Sequence, residues 1–507
     1  MNKNLGGIKI LRRHKGLYII LIFILILSIT GCRGKIKQSP TLIVDDYNGV
    51  NLDEIDHYKI EVDFDPISKS YTANQRVTYV NNTGEELEDV YFHIYPNAYR
   101  SIETAPILFD MTTVSKEEYE AGDMEIEEVK IDKREMDFKI EGVGGTILKL
   151  ELETPLQPSE KTEIDFKYDV KLPLNIDRFG YGEDVFNFGN WYPIACVYDD
   201  TGWNLDPYYS IGDPFYSNVS NYDITIKTTK DMEIASTGNI ISKKTKGKKR
   251  IYNIESRLTR DFAWVASPKF SVKELEIDGT MVKLYFMEDK PNMVDFAIGV
   301  GIDSMEIFNR IFGKYPYGQY SIVMTEFPTG MEYPGIVFIN KDYFSSHYRE
   351  ALEQVIVHET AHQWWYGIVG NDQIDEAWLD EALASYSEVI YMANRYGEKR
   401  GEDYYDYNFQ TPYDYGKEYL ATNGIVNKPL DQFEGWEDYG LLVYVKGAVF
   451  LNEIKEEFGM ETLYDILNKY YSMHRFYNGT TENFIKVCQE ITNTSFSEKV
   501  DKWLYGR

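Results

Sequence analysis

Cysteine is nearly missing from this chain. Three among 507 residues leave no disulfide framework to hold a fold, and Cys196 and Cys488, far apart in sequence, read as two buried free thiols ahead of the alternative, a single bridge. Positive charge is also scarce: 53 basic residues face 82 acidic ones, for a net charge of -29 and a pI near 4.7. Such a surface repels phosphates over most of its area, which excludes nucleic acid as a partner and favours cationic or neutral ones. The one dense basic run, Lys243-Lys244-Thr245-Lys246-Gly247-Lys248-Lys249-Arg250, lies between strand-like residues 234–241 and 251–254 and reads as a solvated hairpin turn. Repeats and low-complexity segments are absent. Hydrophobic residues (43%), aromatic residues (15%) and 42 tyrosines supply ample core, and the length predicts two or three folded domains.

The N-terminus has the order of an export signal: basic Lys9 to Lys15, an apolar run from Leu17 to Ile29 broken only by Ser28, then Thr30-Gly31-Cys32. The run is shorter than the roughly 18 to 20 residues that span a bilayer as a helix, which favours a cleaved peptide. Ile29-Thr30-Gly31-Cys32 resembles a bacterial lipobox, so Cys32 is the expected lipidation site and the chain is expected to be exported and anchored to the outer face of the cell membrane as a lipoprotein. Residues 1–32 are then signal peptide and 33–56 a polar spacer.

From His57 to about residue 271, short segments of period-two alternation (Tyr58 to Phe64, Arg76 to Val80, Val90 to Ile94, Tyr222 to Lys227) are bounded by turn residues, which predicts an all-β domain. Near Ser271 the texture changes, and from Asn292 onward helical periodicity takes over, in 293–312, 352–367, 377–396, 445–458, 462–471, 481–491 and 496–504. A strand pair at 320–325 and 335–340 precedes the second of these helices. The predicted architecture is therefore multidomain, an N-terminal all-β domain followed by an α+β domain over 272–507. The acidic, tyrosine-rich stretch Glu402 to Tyr415 reads as a surface loop, with the rim of a cleft as the alternative.

The chemistry lies in Val357-His358-Glu359-Thr360-Ala361-His362 and in Trp378-Leu379-Asp380-Glu381. Histidines four apart on a helix lie one turn apart on one face and can converge on one metal ion. A catalytic zinc site takes three protein ligands and leaves a position for water, a count met by His358, His362 and Glu381, with one Zn2+ per chain. Glu359 points about a hundred degrees round the helix from His358, placed to serve as general base and not as a ligand. Trp378, Glu381, Ser385 and Glu388 recur at i, i+3, i+7 and i+10 and share a face. Glu388 is either an acceptor for the far nitrogen of a ligand histidine or a solvated helix carboxylate.

Eighteen residues separate His362 from Glu381, and this spacing in its Trp-Leu-x-Glu context resembles the aminopeptidase N family of gluzincin zinc metallopeptidases. Thr329-Gly330-Met331-Glu332-Tyr333 is similar to the family's Gly-x-Met-Glu-Asn segment, and Tyr444-Val445-Lys446-Gly447 to its Tyr-x-Lys-Gly. Asn190 to Pro193, Gly212 to Tyr216, Asn221 to Ile226 and Trp264 to Pro268 resemble its N-terminal domain. The resemblance implies a saddle-like β domain before a thermolysin-like peptidase domain, and peptides as substrates. It further implies that Glu332, with Gly330 and Met331 beside it, grips the substrate's amino terminus, and that the Tyr444 hydroxyl stabilises the oxyanion. Thr329, Tyr333 and Ala382 depart from the family's glycine, asparagine and glycine, and no residue of the β domain matches the one that assists the gripping glutamate. The sequence given ends at Arg507, which leads to the expectation of a member without the helical C-terminal domain and with a more open cleft. The activity so implied is removal of N-terminal residues from peptides. The rival readings are an open-cleft zinc endopeptidase or oligopeptidase and a non-catalytic peptide-binding lipoprotein.

Overall fold

Period-two burial builds the first half of the molecule. In the computed structural model, which describes residues 41–106, 119–287, 290–418 and 424–506, β1 (His57–Asp65) turns Tyr58, Ile60, Val62 and Phe64 inward, and β2 (Ser70–Val80) turns in Tyr71, Ala73, Val77 and Tyr79. They join β3 (Asp123–Ile131), β4 (Arg134–Glu135), β5 (Lys161–Lys171), β6 (Ser220–Thr229), β7 (Asn239–Lys246) and β8 (Lys249–Thr259) in an eight-stranded sheet of order β7-β8-β6-β1-β2-β5-β3-β4. β1 lies between antiparallel β2 and parallel β6, with Ile60 opposite Ile224. Two four-stranded sheets, one containing Leu87–His93 and the other Trp264–Ser267, and a two-stranded one of Tyr198–Asp199 and Gly202–Trp203 complete this half. Trp264 stacks on Phe188 at 3.5 Å between ring centroids.

The basic run does form a hairpin. Its charges stand mainly on β7 and β8 and only Gly247-Lys248 make the turn, Gly247 at φ 65°. Lys243 pairs with Glu233 and Lys249 with Asp63 across the exposed surface.

The second half begins with a five-stranded sheet, β9 (Ser271–Ile277), β10 (Thr280–Phe286), β11 (Gln319–Thr325), β12 (Gly330–Tyr333) and β13 (Ile336–Asn340), of order β9-β10-β11-β13-β12. The two strands expected as a pair are neighbours here and run parallel, while β12 folds back antiparallel to β13 as the sheet's edge. Its helices are α1 (Pro291–Ile311), inserted between β10 and β11, and then α2 (Arg349–Ala361), α3 (Trp378–Tyr396), α4 (Glu398–Tyr405), α5 (Thr411–Gly416), α6 (Trp436–Tyr439), α7 (Gly447–Phe458), α8 (Met460–His474), α9 (Thr481–Thr492) and α10 (Ser497–Trp503). α3 is buried continuously from Trp378 to Met392, so it is the central helix of this half.

Two expectations need correction. Glu402 to Tyr415 is not a loop: α4, a π-helical turn over Asp406–Gln410 and α5 run through it, with Tyr404, Tyr405 and Phe409 buried. The polar composition hid an apolar face whose spacing the π turn shifts away from 3.6. The spacer reading also fails from Thr41 onward, where the chain lies on the body of the protein and belongs to one compact unit, Thr41–Arg507. Leu42 bridges to Tyr317, the Gly318 N–H donates to the Thr41 carbonyl at 2.9 Å, and Tyr47, Val50, Leu52 and Ile55 pack against the core. The signal-peptide and lipobox residues, Cys32 among them, and residues 33–40 lie outside the described residues. Among the described residues no helix is long and apolar enough to cross a membrane. Cys196 and Cys488 are buried and unbridged.

Candidate metal and active site

α2 is fixed before it presents any chemistry. Leu352, Ile356 and Val357 are buried in the core, the Thr360 hydroxyl meets that of Tyr320 at 2.8 Å, and Gln363 clamps the β12–β13 turn. The Gln363 Oε1 accepts from the Gly335 N–H at 2.7 Å and its Nε2 donates to the Tyr333 carbonyl at 3.1 Å. This clamp sets β12, and so Glu332, against the end of α2. The chain leaves the helix through Tyr366, held at φ 107°, a strained conformation for a side chain of that size. In this turn the Trp365 carbonyl comes 3.2 Å from His362 Nδ1.

His358 Nε2, His362 Nε2 and Glu381 Oε2 form a triangle with edges of 3.1, 3.3 and 3.3 Å. Ligand atoms 2.0 to 2.1 Å from a tetrahedral ion stand roughly 3.3 to 3.4 Å apart, so the triangle has the size of one face of such a site. The far nitrogens are engaged as well, His358 Nδ1 with Glu388 Oε1 at 2.7 Å and His362 Nδ1 with the Trp365 carbonyl. With protons on both Nδ1 atoms, two imidazole lone pairs and a carboxylate oxygen face one point, an arrangement that requires a cation. The donor set therefore fits a metal.

Two glycines explain how the other groups approach. A Cβ on Gly330 would stand 2.2 Å from Glu359 Oε1, so the bare backbone of β12 makes room for the Glu359 carboxylate. A Cβ on Gly447 would meet the Ala382 methyl at 2.4 Å. This close approach lets the π-helical segment Gly440–Lys446 lie against α3 and brings the Tyr444 hydroxyl onto Glu381 Oε1, to which it donates.

These residues line one cavity of about 310 Å³, with Gly330, Met331, Glu332, Glu388 and Trp436 also in its wall. Burial pushes the Glu359 carboxyl up to about 7 despite the two neighbouring imidazoles. Burial, then Asp213, Glu359 and Glu381, hold Glu332 well above the usual carboxylate range. Glu332 Oε1 and Glu359 Oε2 are buried with no hydrogen-bond partner. Burial opposes ionisation of Glu381 too, but its bonds to His358 and His362 outweigh it and bring the carboxyl down. The cavity is thus built to receive positive charge at more than one point.

Every residue expected at the metal and active site lines this one cavity. Glu388, left open between two readings, is 3% exposed and bonded to His358. Sequence reasoning missed Asp213. Its carboxylate reaches in from the β half so that oxygens of Asp213, Glu332 and Glu381 lie within 4.8 Å of one another. Arg178 holds it there, pairing through Nη2 at 2.5 Å and touching Met331 Sδ through Nε at 3.2 Å. The only signal was a charged residue inside the aromatic segment Gly212 to Tyr216. Asp380, pushed up to about 7 by burial and then by Glu381, and held by Gln373, was also unforeseen.

A two-histidine helix beside a mixed sheet, with a third candidate donor on the next helix, is the arrangement the comparisons with known proteins can be set against. Residues 296–503 match the Peptidase family M1 domain. Endoplasmic reticulum aminopeptidase 1 of Mus musculus is 23% identical over 257 residues, which are 47% of this chain and 27% of that protein. Aminopeptidase N of Lactobacillus helveticus is 25% identical over 246 residues, 45% of this chain and 28% of that one. The match therefore spans little more than a quarter of the length of these curated relatives. In fold the likeness is broader: the M1 zinc metallopeptidase from Deinococcus radiodurans superposes with a TM-score of 0.63 at 14% identity, covering 89% of this chain and 94% of that one. A mutant of that enzyme was solved bound to a Tyr-Ser-Ala substrate, with a TM-score of 0.60 at 12% identity, covering 90% of this chain and 94% of that one.

Proposed function

We propose that this protein is a zinc-dependent aminopeptidase, holding one Zn2+ through His358, His362 and Glu381 and removing residues from the free N-termini of peptides. The reading is carried by one observation: the three donor atoms converge at metal-site spacing, and the unpartnered oxygens of Glu359 and Glu332 face the same cavity. The names of the relatives and of the Deinococcus radiodurans neighbours agree with it.

Bound zinc would supply Lewis acidity that makes water nucleophilic near neutral pH. Glu359, pushed up to about 7, takes the proton from the attacking water and returns it to the leaving amine. The Tyr444 hydroxyl turns from Glu381 to the carbonyl oxygen as negative charge develops there. Glu332 and Asp213 accept from the substrate's ammonium group, in the role for which the sequence offered only Glu332. Their carboxylates bound the cavity beside Glu381, so the chain of the substrate begins there.

Aminoacyl and N-acetyl-aminoacyl fluorogenic substrates, assayed with and without chelator, test the reading. Chelator-sensitive cleavage of the free-amine substrates alone is expected. Equal cleavage of the acetylated ones would replace it with an endopeptidase, and no cleavage of either with a binding protein. From Ile29-Thr30-Gly31-Cys32 we also infer export and a lipid tether on Cys32. Labelled lipid precursor is expected to mark the wild type and not Cys32→Ala, and equal labelling would remove the tether.

A further inference from the structure

Glu388 joins the metal site to a helix that the site would otherwise not need. One of its oxygens meets His358 Nδ1 at 2.7 Å; the other takes the Tyr404 hydroxyl at 2.5 Å and the Gln354 amide at 3.3 Å. Glu388 is 3% and Tyr404 7% exposed, so water does not substitute readily for a lost donor. Gln354 stands one turn before His358 on α2 and moves with it, and Glu388 stands on α3 with Glu381. Tyr404, on α4, is the donor that ties this carboxylate to an element outside the two ligand helices. The companion histidine has no such support, since His362 Nδ1 leans on the Trp365 carbonyl of its own turn.

We propose that Tyr404 is a positioning residue of the metal site. Its hydroxyl fixes the Glu388 carboxylate in the rotation that orients the His358 ring, so that Nε2 faces the metal. This rests on the metal-site reading above. The hydroxyl contributes nothing to packing that a phenylalanine ring would not keep, which separates the bond from the fold. Its neighbour Tyr405 supplies the control: also buried on α4, its hydroxyl donates to Gln410 Oε1 at 2.8 Å, away from Glu388.

Zinc affinity by chelator competition is to be measured on wild type, Tyr404→Phe and Tyr405→Phe, together with the visible spectrum of each Co2+-substituted protein and the unfolding temperature of each metal-free protein. Partners of ligand histidines typically govern metal affinity by about 10- to 100-fold. A weakening of about tenfold and a shifted Co2+ spectrum are expected for Tyr404→Phe, with neither for Tyr405→Phe and similar unfolding temperatures for the two variants. Wild-type affinity and spectrum in Tyr404→Phe overturn the proposal, as does an equal loss in both variants, which would assign the effect to α4 packing. A wild type that binds no zinc overturns the metal-site reading itself.

Discussion

Two buried histidines, one in each half of the molecule, differ in what surrounds them. His93 in the β half is 3% exposed and stacks on Tyr95 at 4.7 Å between ring centroids, and burial pushes its imidazole down to about 4. His362 in the helical half is 1% exposed, and burial acts on it in the same direction, but Glu381 outweighs burial and the imidazole is pushed up. Burial makes His93 a neutral core residue; the carboxylate makes His362 part of a site that calls for a cation. The same contrast separates carboxylates. Asp223 on β6 is drawn down to about 2 against its burial by His57 and Arg257, while Glu332 and Glu359 keep unpartnered oxygens in the cavity. The paired carboxylate of Asp223 belongs to the scaffold, and the unpartnered ones of Glu332 and Glu359 line the cavity.

The largest effect is expected from exchanging the histidines' fates. His362→Ala is expected to lose zinc and all hydrolysis, whereas His93→Phe, which keeps the stacking on Tyr95, is expected to lose neither. Metal analysis and peptidase assays on the two variants decide it, and loss of zinc from both would erase the contrast. A smaller effect is expected from Glu359→Gln, which keeps zinc and lowers kcat by about 10²- to 10⁴-fold, the usual weight of a general base. An active Glu359→Gln would remove the proton-transfer scheme and leave the metal site standing. Glu332→Gln sharpens the comparison further, since trading a charged acceptor for a neutral one costs about 1 to 1.5 kcal/mol, or roughly 5- to 13-fold. It should raise KM for free-amine substrates and leave zinc content unchanged.

The smallest effect concerns stability. A neutral imidazole is favoured in the folded β half, so as pH falls below about 6.5 the unfolded chain takes up the proton first. Stability is then lost down to about 4, where folded His93 also titrates. The full loss is about 3 kcal/mol. Acid unfolding of His93→Phe is expected to be shallower over that range, and an unchanged profile would show that His93 carries no such burden.

The proposed metal ligands and base were legible because their chemistry is local: two histidines one helical turn apart, a glutamate between them and a third donor on the next helix. The β half was legible from period-two strands such as β1 and β2. Asp213 was not, because its role requires a fold that carries residue 213 to residue 332. Tyr404 was hidden by acidic neighbours and by the π turn that shifts the buried face of its segment. Glu388 could be named but not resolved, since what separates a bonded carboxylate from a solvated one is the position of α4 against α3. Gln363, clamp of β12, directly follows the motif and carried no signal of its own.

The most direct test is the zinc content of the purified protein, measured beside Glu381→Ala. About one zinc per chain in the wild type, and none retained by the variant after dialysis, is the predicted result. A wild type without zinc, or a variant that keeps it, would contradict a metal site built on His358, His362 and Glu381.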